Sequence, residues 1–144
     1  MSDLTLRLVV GSVLLVHGFG HSGALAALIW LRVRPGANTG NWLPARSWLI
    51  PALPADTAMS LASAFWIVAL AGFVLAALSF WGILVPAGVW QPLGVGTALV
   101  SLAGIVLFLG TWPIFNTVAA LGVNIAVLVA VLWLHWPPAS VLRS

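Results

Sequence analysis

The stretch TAMSLASAFWIVALAGFVLAALSFWGIL, residues 57–84, runs for 28 residues without a charged side chain. About 20 predominantly apolar residues are enough for an α-helix to cross the hydrocarbon core of a bilayer. Water is missing at that depth, so the segment must pair its own backbone amides, as a helix does. Asp56 immediately precedes the stretch and reads as its N-cap, with Pro54 just outside.

The chain on either side repeats this pattern. A first span is predicted over residues 6–31, bounded by Arg7 at one end and by Arg32 and Arg34 at the other. A third, short span covers residues 93–110, with Pro92 at its start and the turn 110–113 at its end. A fourth covers residues 115–136 and is stopped by Pro137 and Pro138. The apolar run of residues 1–26 has a signal-peptide look. Asp3 in its leading segment and its continuation to Leu31 read instead as a span.

Composition leads to the same solvent. The 144 residues are 62% hydrophobic and 5% charged, with five Arg, two Asp and neither Lys nor Glu. A water-soluble domain carries roughly a quarter charged residues. The fold class predicted is therefore an all-α membrane protein, a four-transmembrane-helix antiparallel bundle forming one domain. Scattered Arg make no basic stripe, so nucleic acid is not an expected partner. Absence of Cys removes disulfides and thiol chemistry. Ala, Gly, Pro and Arg in abundance without Lys fit a GC-rich bacterial genome and the cytoplasmic (inner) membrane.

Tryptophan prefers the headgroup level. Four spans place Trp30, Trp42, Trp48 and Trp112 on one side and Trp81, Trp90, Trp133 and Trp136 on the other. Trp66 falls inside span two and is expected between helices. The long first loop, residues 33–55, holds an apolar stretch around residues 42–50. That stretch is either a short interfacial helix or an irregular loop resting on the bundle. Arg32, Arg34 and Arg46 on the loop side, against Arg7 and Arg143 near the termini, tilt the count toward a cytoplasmic loop. Small residues are expected to let helices approach closely: Gly11, Gly18, Ser22 and Ala26 in span one, and Ala69, Gly72 and Ala76 in span two.

The run Val16-His17-Gly18-Phe19-Gly20-His21-Ser22 carries the most unusual chemistry. His17 and His21 lie one turn apart on one helix face. Counting the helical rise puts His17 roughly 16 Å, Asn124 roughly 18 Å and Ser101 roughly 14 Å from the terminal side. The four residues are predicted to form one polar layer near the midplane, with Asn124 or Ser101 bonded to a histidine ring. Polar groups at this depth must face the bundle interior and find partners.

Three roles for this layer follow. The first is interhelical hydrogen bonding that fixes register. The second is axial ligation of a haem or chlorophyll-type pigment by His17 or His21. The third is a proton or small-solute path, which the lack of intramembrane charge counts against. Metal catalysis lacks a third ligand and the glutamate of H-E-x-x-H. No serine nucleophile context or carboxylate pair is present, so no residue is assigned a catalytic role. His135, beside Trp133 and Trp136, is expected to reach the headgroups, with pigment ligation near the surface as its alternative. Asn116 and Thr117 are expected to cap the fourth helix, with Asn116 also placed to extend the polar seam.

The element His17-Gly18-Phe19-Gly20-His21, followed by three apolar spans and a late helix bearing Asn124, resembles small uncharacterised four-span bacterial membrane proteins. The resemblance implies the four-span layout and no activity. Elimination favours a non-catalytic structural or accessory subunit of a larger membrane complex. Its partners would be the lipid bilayer and other membrane subunits or further copies. The alternatives are the pigment carrier and a small homo-oligomeric channel or transporter.

Overall fold

Each uncharged run becomes one helix. The computed structural model describes residues 2–38, 40–138 and 141. Helix α1 spans Asp3–Val33, α2 Ala55–Trp81, α3 Trp90–Leu107 and α4 Ile114–Leu128. A 3-10 turn at Ala87–Val89 precedes α3, and a π-helical turn at Val129–Trp133 continues α4. Among the described residues there is no strand. All four helices are long and apolar enough to span a bilayer, so this is a multi-pass membrane protein. Arg143 lies outside the described residues.

Several helix ends differ from the sequence reading. Helix α2 begins at Ala55 after Pro54 and has no side-chain cap, so Asp56 sits in its first turn rather than capping it. There its charge complements the helix dipole. The same helix ends at Trp81, where Gly82 takes the left-handed conformation (φ 71°), a geometry glycine adopts without steric cost. Pro92 lies inside the first turn of α3, where a missing N–H is tolerated. Helix α4 is preceded by Pro113 and has no side-chain cap. Thr117 instead donates back to the Pro113 carbonyl (3.3 Å), and Asn116 is exposed.

Helices α1, α2, α3 and α4 pack in chain order, each against the next. The α1–α2 pair is clamped at both ends. Arg7 donates to the Trp81 carbonyl (2.9 Å) and the Trp81 indole donates to the Arg7 carbonyl (3.0 Å). At the other end Arg32 donates to Ser60 Oγ (2.8 Å) and to the Asp56 carbonyl (3.2 Å). Small residues make the crossings possible. A Cβ on Gly11 would collide with the Trp81 ring, and one on Gly18 would stand 3.1 Å from Phe73 Cβ and 3.3 Å from the backbone of Leu70. Gly72 admits Thr97 of α3, and Gly104 admits Trp66 and Phe65 of α2.

Ser22 and Ala26, expected at the same interface, are exposed. The buried stripe of α1 is Gly11, Leu14, Gly18, His21, Ala24, Leu28 and Leu31. It mixes steps of three and four, which keeps it on one face, whereas repeated steps of four drift about 40° around the helix each time.

Two apolar clusters fill the bundle. The loop half holds Leu28, Met59, Trp66, Ile105 and Phe108 among others. The terminal half holds Leu14, Phe73, Phe80, Trp90 and Ala98. Among the described residues the first loop has no helix. It lies on the bundle as irregular chain, with Leu43 N–H donating to the Thr111 carbonyl (3.0 Å) and Ala45 N–H meeting Met59 Sδ (3.4 Å).

Close packing at Gly104 makes a direct prediction. Gly104→Val should lower stability by about 1–3 kcal/mol through overpacking against Trp66. Gly20→Ala, whose Cβ would meet nothing within 4 Å, should hold or raise it by up to about 1 kcal/mol. Thermal unfolding in detergent measures both.

Candidate functional site: a polar layer beside a lateral cleft

Between the two apolar clusters lies one polar layer. His21, Ser101 and Asn124 are buried, at 2%, 0% and 0% exposure, and His17 is half-buried beside them. Three helices supply them: α1 the two histidines, α3 the serine and α4 the asparagine. The sequence count by helical rise placed these four at a common depth, and here they are in mutual hydrogen-bond contact.

The bonds have a definite direction. His21 Nδ1 lies 3.0 Å from the His17 carbonyl, which can only accept, so Nδ1 carries the proton. No carboxylate faces the layer, since Asp3 and Asp56 lie at helix ends, so the imidazoles are assigned as neutral. Nε2 of His21 is then an acceptor, and the Ser101 hydroxyl donates to it (3.0 Å). Asn124 Nδ2 donates to Ser101 Oγ (2.8 Å). Asn124 Oδ1 accepts from His17 Nε2 (3.1 Å). The path returns through the backbone of His17 to its starting carbonyl. The two histidines are thereby fixed as opposite tautomers.

Aromatic rings wedge the pair in place. The His17 ring stands edge-on to His21 at 5.0 Å and to Phe73 at 4.5 Å. His21 faces Trp66 at 5.8 Å and Trp112 at 6.2 Å. Trp112 was expected at the headgroup level, yet it tilts inward against Trp66, centroids 4.0 Å apart. Trp90 is likewise buried, against Phe80 at 4.9 Å. Trp66 packs between helices, as its depth required. Nε1 of Trp66, Trp90 and Trp112 is buried with no hydrogen-bond partner, a cost accepted for ring packing.

Helices α1 and α4 do not close on each other. A cleft of about 570 Å³ separates them, bordered by Val16, His17, Gly20, Trp42, Trp112 and Phe115, with Ser12 and Asn116 adding polar groups. Ser12, Gly20, Phe115 and Asn116 carried no sequence signal for such an opening. Gly20 beside His21 leaves a notch on α1, and α4 supplies the facing wall of the cleft.

A haem or chlorophyll-type pigment does not fit these residues. Both nitrogens of His21 are taken by protein partners, and Nε2 of His17 is held by Asn124. Of the layer's ring nitrogens only His17 Nδ1 has no partner among the described residues, and its own Cβ crowds that nitrogen against a macrocycle. His135 is exposed at the terminal end, with Nδ1 donating to the Trp133 carbonyl (3.1 Å). No group of three or more His, Cys, Asp or Glu placed to hold a metal occurs among the described residues. Comparison with protein-family models, curated proteins and solved structures finds no match.

A closed circuit is testable by pairwise deletion. Ser101→Ala and Asn124→Leu should each destabilise the bundle by about 0.5–2 kcal/mol. Because both break one circuit, the double variant should lose clearly less than the sum. Unfolding by denaturing detergent, followed by tryptophan emission, reads the cycle; additive losses would mean independent bonds.

Proposed function

We propose that this chain is a non-catalytic accessory subunit of a larger membrane assembly, seated in a bacterial cytoplasmic membrane with its first loop inside the cell. The observation that carries the reading is the state of α4. Only 17% of its apolar stretch is buried, against 33–39% in the other three helices, and among the described residues α3 is the one helix packed extensively on it. Hydrocarbon gives helices no solvent-driven reason to associate, so packing surface decides which helices pair. Val118, Gly122, Ile125 and Val129 form an exposed ridge along α4, and nothing stands within 4 Å of a Cβ on Gly122. A second membrane subunit, or a second copy, completes α4 on that ridge.

The polar layer supports this reading by what it does with its own groups. Its bonds are spent on one another, locking α1, α3 and α4 in register, as a scaffold requires. The resemblance to small four-span bacterial membrane proteins and the Lys-free, Arg-bearing composition support the bacterial setting. The loop-side Arg32, Arg34 and Arg46 support the sidedness.

The chain has no cysteine, which makes the test clean. Single substitutions Val118→Cys and Ile125→Cys on α4, with Val68→Cys on α2 as reference, are treated with a thiol crosslinker in native membranes. The α4 positions should give a discrete heavier species and Val68→Cys should not. A lone monomer at every position, with nothing co-purifying under gentle solubilisation, would remove the basis of the proposal.

A further inference from the structure

We infer that the α1–α4 cleft is a binding site for a neutral membrane-dissolved amphiphile, one whose flat ring bears a hydroxyl and whose tail is hydrocarbon. The site stands apart from the subunit reading, which rests on the outer ridge of α4. Three observations carry it.

The first is the directed hydrogen-bond circuit. It consumes every ring nitrogen of the two histidines except His17 Nδ1. That atom has no partner among the described residues, yet it is absent from the sealed, unpaired set formed by three indole nitrogens. His17 borders the cleft. The tautomer that Asn124 imposes makes Nδ1 a lone-pair acceptor, so a ligand group meeting it must donate.

The second is the lining. Among the described residues no charged side chain borders the cleft, and apart from the histidines only Ser12 and Asn116 are polar there. A phosphate or ammonium head has no counter-charge at this depth. Trp42, Trp112 and Phe115 wall the loop-side part, and Trp42 and Trp112 stand 6.3 Å apart at a tilt of 52°. Flat rings bind such walls by offset or edge contact. A volume of about 570 Å³ lies within the roughly 300–1,000 Å³ of small-molecule sites.

The third is continuity. A second, apolar groove of about 260 Å³ runs toward the terminal end, bordered by Val9, Leu14, Trp90, Ala126 and Val131. It shares Val13 and Val123 with the first cleft. The two together give a ring compartment, a polar point at His17 and a tail channel. The hydroxyl donates to His17 Nδ1, the ring lies toward Trp112 and Phe115, and the tail follows α4 toward its π-helical turn.

The test uses the full chain in lipid nanodiscs and a para-alkylphenol with a photoreactive diazirine in its tail. Labelling should map to the tail channel around Val13, Val123 and Val127. Unlabelled para-octylphenol should compete, and its methyl ether, which cannot donate, should compete roughly fivefold less well, the worth of one net hydrogen bond. Gly20→Phe fills the cleft from a position whose Cβ meets nothing within 4 Å. This variant should unfold at or above the parent temperature and lose the labelling. Label spread over lipid-facing residues such as Val68 and Leu75, equal competition by the ether, undiminished labelling of folded Gly20→Phe, or no competable labelling would each overturn the inference.

Discussion

A histidine ring at the centre of a bilayer has to be paired, and the architecture of this bundle follows from how that is done. Two rings on one face of α1 are satisfied by a hydroxyl from α3 and an amide from α4, and by the backbone of α1 itself. Apolar packing alone would let four oily helices slide and rotate at little cost, because lipid tails are as apolar as the side chains they replace. The polar layer removes that freedom. It sits between two apolar clusters and sets the depth of α1, α3 and α4 relative to one another.

The helix to which the circuit makes its longest reach is also the least packed. Helix α4 packs chiefly on α3, and the Asn124–His17 hydrogen bond links it to α1. The hydrogen bond therefore acts as a tie between α1 and α4, and the cleft lies beside it. One geometry thus carries both proposals. The bond ties α4 to α1 beside the cleft, while the outer ridge of α4 is exposed. The arrangement asks for no movement and no charge at the midplane.

Much of this was legible in the chain because membrane helices are simple to count. Charge-free runs such as residues 57–84 allow only one backbone solution at bilayer depth, and the rise per residue turns sequence position into depth. That arithmetic alone brings His17, His21, Ser101 and Asn124 to one level. Rotation about the helix axis was harder to read. Ser22 and Ala26 have the right size and the wrong azimuth. Trp90 and Trp112 sit at helix ends as aromatic-belt residues do, yet turn inward because Phe80 and Trp66 offer ring faces. Asn116 and Thr117 looked like caps, and Pro113 took the cap position instead. The cleft was invisible for a deeper reason. It depends on the angle between α1 and α4, which no local sequence pattern encodes.

The two histidines are locked as opposite tautomers by a single directed circuit. Nitrogen solid-state NMR on isotopically labelled histidine, with the protein in bilayers, observes this directly. Two distinct neutral rings are expected, His21 protonated at Nδ1 and His17 at Nε2, with Ser101→Ala altering both spectra. Identical tautomers, or a His17 signal indifferent to loss of the serine, would contradict it.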